Sequence, residues 1–443
     1  MSLPPTPSND RSHPRTGLAV VLSGGGARGA YEAGVLSVLV PRLVEEGHQP
    51  QLLLGSSVGA LNAVGFAALW QHGPQQAVAR GLAIWRSVDK SQVIKPILTW
   101  QVPLTALRYA GGILSLPKVR VPSLLDPQPL RENLRRWIDW AALHRNLRRG
   151  LLEGVGVVAT SAKTGRPVVF TECRQPLSLQ LPSLRSHAVS YVPCRLTAEH
   201  VRASAAIPIL FPPVHVHTPR AAAGWYIDGG TRLNTPLKPA LDLGAQRLVI
   251  VGMDSVEEPP EPSGNGDGPP DFGDGALHVL QGRLVDPMIE DVRMLGNVNT
   301  FFASDPAANR YRRARGKPPY RAVPYIFIAP QTRGAIGELA TAVFKEKYGS
   351  FGSIKGLRRL KGLIGLRDAD FHLLNRLLGS DSPTHGELLS YLFFDRDFIE
   401  ALIELGRADA MRWLAEEHDG GGPWQIGPLE TFVREDRAAA RAA

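Results

Sequence analysis

A serine between two glycines stands where the chain passes from an apolar run to a helical pattern. Gly55-Ser56-Ser57-Val58-Gly59 has the G-x-S-x-G spacing and follows the apolar residues 51–55. Glycines at both flanks let strand and helix approach closely, and the helix dipole stabilises negative charge at the turn. The pattern indicates Ser57 as a nucleophile, with a plain strand-to-helix turn as the alternative. Ser56 lies outside the glycine frame and is the weaker candidate.

A second glycine-rich stretch, residues 23–34, follows the apolar run 18–22. Its G-x-G-x-x-G spacing is typical of a phosphate-binding loop. A dinucleotide site also requires an acid near the end of the next strand, and a P-loop requires Lys-Ser/Thr, but the sequence has neither. Exposed loop amides suit an oxyanion equally well. The predicted oxyanion hole comprises Gly24, Gly25, Gly26, Ala27, Arg28 and Gly29.

Arg28 has two interpretations within that loop. It adds positive charge near the reacting carbonyl, or it braces the loop as a structural residue. The residue pattern leaves both open.

The residues alone leave more than one general base open. Asp228 follows the apolar run 224–227 and precedes Gly229 and Gly230, at a strand end where α/β active sites form. The alternative for Asp228 is an Asx turn. Asp419 begins a second Asp-Gly-Gly, but it follows a long helical pattern and is the weaker candidate. A triad stays open, because histidines follow Asp228 in the chain. These are His278, His372, His385 and His418.

The elements that position these residues follow from apolar periodicity. Strands are predicted at 18–22, 51–55, 154–162, 167–173, 224–228, 247–254 and 324–330. Helices are predicted at 29–47, 58–73, 126–140, 276–295 and 386–417. This order predicts an α/β fold with a mainly parallel central sheet covered by helices. Neighbouring parallel strands then place loop 24–29 beside Ser57.

Composition divides the chain into three stretches. Residues 1–16 hold four prolines and no apolar run, and they predict a disordered tail. Residues 17–330 carry the strand and helix alternation of a catalytic domain, with a Pro-, Gly- and acid-rich loop at 256–275. Residues 331–443 predict a helical C-terminal extension.

The chain is basic, with 50 Lys and Arg against 41 Asp and Glu and a formal net charge of +9. This favours anionic partners, and basic clusters at 131–149, 310–321 and 355–367 indicate either peripheral membrane contact or solvated faces. Nucleic acid is disfavoured because no recognition motif is present. No apolar stretch reaches ~18 residues and no secretory signal precedes the first strand, so a cytoplasmic location is expected. Cys173 and Cys194 lack metal-site spacing, and no metal or other cofactor is expected.

In chain order, GGGARG at 24–29, GSSVG at 55–59 and DGG at 228–230 resemble the signature blocks of the patatin-like phospholipase family. The stretches SAAIPILFPPV, from residue 204, and NTP, from residue 234, are similar to the sequences around its last block. The resemblance covers about residues 17–255 and implies a three-layer α/β/α sandwich.

The resemblance also implies a mechanism. Ser57 is then the nucleophile and Asp228 the base of a dyad without histidine, with loop 24–29 as the oxyanion hole. Family members hydrolyse acyl esters of phospholipids and other lipids through an acyl-enzyme, without a metal. The alternatives are a carboxylesterase or thioesterase acting on soluble acyl substrates, a non-catalytic nucleotide-binding α/β protein, and a scaffold derived from a hydrolase.

Overall fold

The computed structural model of the protein describes residues 17–95, 123, 125–175, 189–257, 286–316, 319–348 and 384–433. Several sequence predictions lie wholly or largely outside these residues. They are the tail 1–16, the loop 256–275, the first half of helix 276–295 and the basic cluster 355–367.

The described strands form one mixed sheet. They are β1 (Leu18–Leu22), β2 (Pro50–Ser56), β3 (Gly154–Ser161), β4 (Pro167–Cys173), β5 (Ser190–Pro193), β6 (Val214–Val216), β7 (Gly224–Asp228), β8 (Arg247–Val251) and β9 (Tyr325–Ile328). The order is β5-β4-β3-β2-β1-β8-β9, while β7 pairs with both β3 and β6. The five strands from β3 to β9 along this order are parallel, which confirms a mainly parallel sheet.

Helices cover both faces of the sheet. They are α1 (Gly29–Glu45), α2 (Val58–Leu69), α3 (Pro74–Ser87), α4 (Lys90–Val93), α5 (Gln128–Trp137), α6 (Trp140–Arg148), α7 (Ala198–Ser204), α8 (Leu237–Asp242), α9 (Asp286–Asn297), α10 (Pro306–Ala314), α11 (Ala335–Tyr348), α12 (Thr384–Leu392) and α13 (Arg396–Ala415). None of these described helices is long and apolar enough to cross a lipid bilayer.

The alternation of side chains along β1 separates two apolar cores. Val20 and Leu22 pack into the core that contains α1, α2 and α13. Ala19 and Val21 pack into the core formed with α8 and α9. A strand that is buried on both faces lies in the middle layer, so the fold is a three-layer α/β/α sandwich.

Two features of the sheet differ from the sequence prediction. β4 and β7 both run antiparallel to β3, whereas apolar runs alone cannot give strand direction. β5 and β6 have only four and three residues, too short for a periodicity signal.

The predicted helix 386–417 is two helices. α12 ends at Leu392, and Asp395 caps α13 by accepting a hydrogen bond from the Asp397 N–H over 2.9 Å. After α13 the chain is not helical throughout, because Gln425 forms an antiparallel bridge with Tyr325 of β9. The C-terminal extension is therefore helical only in part.

The C-terminal helices pack tightly on the rest of the fold. A Cβ on Gly34 of α1 would lie 2.2 Å from Ile403 O, and a Cβ on Gly406 of α13 would lie 2.2 Å from Tyr31 O. The Tyr31 hydroxyl donates to Asp409 over 2.8 Å. The domain boundary predicted at residue 330 stays a prediction. The helices after it contribute side chains to the same apolar core as α1 and α2.

Candidate active site

Ser57 lies in the sharp turn between β2 and α2. Its φ of 52° and ψ of −123° are rarely adopted by residues with a side chain. A Cβ on Gly55 would lie 2.1 Å from the carbonyl carbon of Gly59, and a Cβ on Gly59 would lie 2.5 Å from Leu22 O. The G-x-S-x-G spacing therefore reflects close packing of β1, β2 and α2, and it leaves Ser57 at the N-terminus of α2.

Ser204 holds the backbone of Ser57. The Ser57 N–H donates to Ser204 Oγ over 2.8 Å, and Ser204 is the fully buried last residue of α7. Ser204 begins a stretch that resembles the family, but its residue type and position predict no role for it. A serine at a helix end has no distinctive signal, so only the fold reveals this contact.

Asp228 approaches Ser57 from the opposite direction along β3. β2 is parallel to β3 and ends where Ser56 pairs with Val158. β7 is antiparallel to β3 and ends where Asp228 pairs with Ala159. β4 occupies the other edge of β3, so the ends of β2 and β7 face each other on one edge. The structure thereby brings Ser57 and Asp228 together.

The backbone around Asp228 fixes its carboxylate. The Asp228 N–H donates to Ala206 O over 2.9 Å, and Oδ1 accepts from the Gly230 N–H over 2.7 Å. A Cβ on Gly229 would lie 2.3 Å from Val158 O, so no larger residue fits there. Oδ2 has no hydrogen bond of regular geometry. One buried carboxylate oxygen is therefore available for a proton.

Burial raises the pKa of Asp228 to about 7, while the nearby Ser57 hydroxyl and the Gly230 N–H lower it in part. Asp228 is only 6% exposed and Ser57 5%. Catalytic hydrogen bonds are often long without substrate, which fits a Ser57 hydroxyl that influences the Asp228 carboxyl but forms no hydrogen bond of regular geometry with it. A carboxylate with this pKa is a far better base near neutral pH than an ordinary aspartate.

The glycine loop after β1 packs directly against Ser57. A Cβ on Gly24 would lie 2.9 Å from Ser57 Cβ. The Gly24 N–H donates to Asn234 Oδ1 over 3.0 Å, and Asn234 Nδ2 donates back to Gly24 O over 3.4 Å. Gly26 has a φ of 61°, and a Cβ there would lie 2.2 Å from Tyr391 O. Both positions therefore require glycine.

The loop amides are not equivalent as oxyanion donors. The Gly24 N–H is already bound, the Arg28 N–H donates to Gly25 O over 3.2 Å, and the Gly29 N–H bonds carbonyls of the preceding 3-10 turn. Within the described chain, the N–H groups of Gly25, Gly26 and Ala27 have no acceptor. These three amides are the candidates for binding an oxyanion.

A family model described as Patatin-like phospholipase matches residues 20–241. This span contains the glycine loop, the Ser57 turn and Asp228. The chain belongs to the patatin-like phospholipase family. Members of this family are lipid acyl hydrolases. No curated protein matches the chain.

Solved structures similar to this patatin-like chain are distant. VipD from Legionella pneumophila shares 15% identity at a TM-score of 0.32, over 88% of this chain and 67% of VipD. The heterodimeric complex of ExoU and SpcU from the type III secretion system of Pseudomonas aeruginosa gives 15% identity and a TM-score of 0.25. That match covers 91% of this chain and 72% of the other.

Arg28 ties the patatin-like glycine loop to α12. Its guanidinium forms an ion pair with Glu387, donates from Nε to Ser390 Oγ over 2.7 Å, and lies 4.1 Å from the centre of the Tyr391 ring. Arg28 is 1% exposed, and Ala27 beside it is fully buried. These contacts support the bracing interpretation of Arg28, because none of them reaches Ser57.

The stretch after Asp228 closes the other side of the loop. Ser23 Oγ lies 2.8 Å from Thr235 Oγ1 and donates to Val251 O over 2.8 Å. Together with the Asn234 contact, this fixes the start of the loop against β8. Asn234 and Thr235 carry no chemical motif, and resemblance was the only signal that marked them.

His418 and the second Asp-Gly-Gly, which begins at Asp419, both make structural contacts away from the dyad. The His418 ring stacks on Trp413 at 4.1 Å. Asp419 accepts hydrogen bonds from the N–H groups of Ile426 and Gly427, over 2.6 and 2.8 Å. In the part of the chain that the structure describes, no histidine bonds to the candidate dyad. Outside that part lie His278, His372 and the side chain of His385.

Both cysteines are free thiols. Burial raises the pKa of Cys173 and of Cys194 to about 12, so neither forms a thiolate near neutral pH. Across the described ranges, no three His, Cys, Asp or Glu side chains group as metal ligands.

Proposed function

We propose that the protein is a serine acyl hydrolase that cleaves ester bonds of phospholipids or related lipids through Ser57 and Asp228. One observation carries the proposal: two opposed strand ends bring the serine of a strained turn to a carboxyl whose pKa burial raises to about 7. Family membership supports lipid esters as the substrate class.

Acylation begins at the unpartnered oxygen of the aspartate. Asp228 Oδ2 takes the hydroxyl proton as Ser57 Oγ attacks the ester carbonyl carbon. The tetrahedral intermediate collapses when its bond to the leaving alcohol breaks, and that alcohol takes the proton from Asp228. The fatty acyl group is then esterified to Ser57.

The oxyanion of the intermediate requires fixed donors. The amides of Gly25, Gly26 and Ala27 are the loop donors without another partner among the described residues, and the loop packs on Ser57. Such donors act only when charge develops, and loss of one lowers the rate by about a hundredfold or more. The partial positive charge at the N-terminus of α2 adds to them.

Deacylation uses the same groups. Asp228 takes a proton from water as that water attacks the acyl-enzyme carbonyl. The second tetrahedral intermediate collapses by breaking the bond to Ser57 Oγ, which regains its proton. The products are the fatty acid and the free enzyme, so one carboxylate serves as base in both steps.

The test compares wild type with Ser57→Ala and Asp228→Asn on a short-chain soluble ester and on phospholipid vesicles. Ser56→Ala is the matched control, because Ser56 is the adjacent buried serine and its Oγ has no partner. We expect activity to be lost in Ser57→Ala and in Asp228→Asn and retained in Ser56→Ala. Fluorophosphonate should label wild type and Ser56→Ala but not Ser57→Ala. Equal activity in all variants would refute the dyad. Hydrolysis of the soluble ester without hydrolysis of the vesicles would refute phospholipid as the substrate and would identify the protein as an esterase.

A further inference from the structure

A buried asparagine ties together the two helices that begin at the candidate active site. Asn62 of α2 is 3% exposed, and its Nδ2 donates to Gly29 O over 2.9 Å and to Glu32 Oε2 over 2.7 Å. Its Oδ1 accepts from Trp85 Nε1 of α3 over 2.9 Å. Both amide N–H groups and the amide oxygen therefore have partners, which fixes the orientation of the side chain.

These bonds link the nucleophile to the glycine loop. α2 begins after Ser57, and Ser57 O accepts from the N–H of Leu61, the residue before Asn62, over 3.3 Å. α1 begins at Gly29, the last residue of the glycine loop, and a Cβ on Gly29 would lie 2.3 Å from Val58 Cγ2. Among the described hydrogen bonds, the two from Asn62 Nδ2 are those that join α1 to α2. The spacing of the two helix starts therefore depends on Asn62.

Glu32 accepts the second hydrogen bond of Asn62 without adding a charge. It is fully buried in the first turn of α1. Burial raises the pKa of Glu32 well above its ordinary range, while Asn62 and the Ser23 backbone lower it in part. Such a carboxyl stays protonated near neutral pH and does not oppose the charge of an oxyanion. The pair of Asn62 and Glu32 is therefore a neutral support beneath the loop.

We propose that Asn62 is a positioning residue that sets the distance between Ser57 and the oxyanion donors of the glycine loop. The proposal rests on the acyl hydrolase function and adds a residue to its site. Asn234 and Arg28 tie the loop to the stretch after β7 and to α12, whereas Asn62 ties it to the helix that follows the nucleophile. A displacement of about 1 Å can lower a rate about a hundredfold, because the donors must meet the oxyanion as it forms.

The kinetic test compares Asn62→Leu with Asn146→Leu. Asn146 of α6 is fully buried, and its Nδ2 donates to Ala67 O and Ala68 O at the other end of α2, over 2.8 and 3.1 Å. It is the matched control, because the same substitution there also removes buried hydrogen bonds to α2 and lowers stability. On p-nitrophenyl butyrate, with rates corrected for the folded fraction, we expect kcat and kcat/KM of Asn62→Leu to fall together, by about tenfold or more. Asn146→Leu should stay within about twofold of wild type, as expected for a change away from the reacting groups. Equal losses in both variants, or a rise in KM alone, would overturn the proposal.

Variants of Glu32 test the same contact in a chain that keeps Asn62. Glu32→Leu removes the acceptor of one Asn62 N–H together with a buried carboxyl oxygen that has no partner in the described chain, so the fold should persist. We expect kcat to fall by about threefold or more, because the Asn62 amide loses its fixed orientation. Glu32→Gln, whose amide oxygen can accept the same hydrogen bond, should recover most of that loss. Equal losses in Glu32→Gln and Glu32→Leu would contradict a role through Asn62.

The rate of fluorophosphonate labelling gives a second readout, because attack by Ser57 also places negative charge on an oxygen of the probe. The labelling rate should fall in parallel with kcat in Asn62→Leu and stay near that of wild type in Asn146→Leu. A wild type that neither hydrolyses esters nor reacts with the probe would refute the proposed function, and the positioning role with it. An active wild type whose rates are unchanged in Asn62→Leu would refute the positioning role alone.

Discussion

The buried ion pair between Arg28 and Glu387 gives the sharpest stability prediction. Glu387 Oε2 binds the guanidinium, while its Oε1 accepts from the Gly337 N–H over 2.9 Å. Glu387→Leu removes both acceptors and leaves the Arg28 charge in a site that is 1% exposed. Breaking one partner of a buried pair typically costs about 3–5 kcal/mol. The negative charge of Asp254 also stabilises the protonated guanidinium of Arg28. We therefore expect Glu387→Leu to lower the free energy of unfolding by an amount at the lower end of that range.

The control variants separate charge from packing. Glu387→Gln keeps two hydrogen-bonding groups and should cost less than Glu387→Leu. Arg28→Met/Glu387→Leu removes both charges and should recover much of the loss, because neither charge is then left unpaired. Ester hydrolysis should fall in Glu387→Leu more than its stability explains, since the glycine loop loses its ion pair with α12 and keeps only the hydrogen bonds of Arg28 to Ser390 and to the Glu387 carbonyl.

The assay is urea unfolding followed by fluorescence, with ester hydrolysis measured on the folded fraction. Stability of Glu387→Leu within about 1 kcal/mol of wild type would refute the reasoning, since that is the range of an exposed ion pair. A double variant less stable than Glu387→Leu would show that packing, and not unpaired charge, dominates.

Three further predictions concern the site itself. The base must be ionised, so kcat/KM on a soluble ester should rise with pH until the pKa of Asp228 near 7 and then level off; a profile flat from pH 5 to 8 would contradict it. Ile209 has a φ of 72°, which strains a β-branched residue by about 1–3 kcal/mol, so Ile209→Gly should raise the melting temperature; an unchanged or lower value would count against the strain. Gly26→Ala should lower hydrolysis of every ester at least tenfold, because its Cβ would meet Tyr391 O, and wild-type rates would exclude that contact.

The raised pKa of Asp228 also has a consequence for stability. Its ordinary value is 3.8 and its folded value about 7, so the unfolded chain releases this proton first. Folding stability from this group is therefore highest below pH 4 and declines as the pH rises towards 7. The buried carboxylate that suits catalysis thus destabilises the fold at the pH where the enzyme would work.

Local patterns were enough to predict the parts of the site that depend on close packing. Gly55 and Gly59 are required by contacts within a strand-turn-helix unit, and the glycine loop follows directly on β1. Because these contacts join residues close in sequence, they produce a glycine spacing that is recognisable in the sequence alone. Parallel pairing of β1 with β2 then brings the loop beside Ser57, as the order of elements predicts.

Contacts between distant segments left no comparable signal. Arg28 and Glu387 are 359 positions apart, and nothing in a helical pattern distinguishes Glu387 from a solvated glutamate. The direction of β7 was equally hidden, because the apolar run of four residues before Asp228 is compatible with either strand direction. The sequence could therefore suggest Asp228 as a base but could not show from which side it arrives.

That direction bears on why the candidate dyad can work without a third residue. In a triad, an intermediate histidine spans the distance between serine and acid. Here β2 and β7 end opposite consecutive residues of β3, so Asp228 reaches the turn of Ser57 directly. Burial supplies the basicity that a histidine would otherwise provide. The strained turn and the buried acid persist because Ser204 and Ala206 fix their backbones and the Gly230 N–H holds Asp228 Oδ1, by hydrogen bonds that do not involve the reacting atoms Oγ and Oδ2.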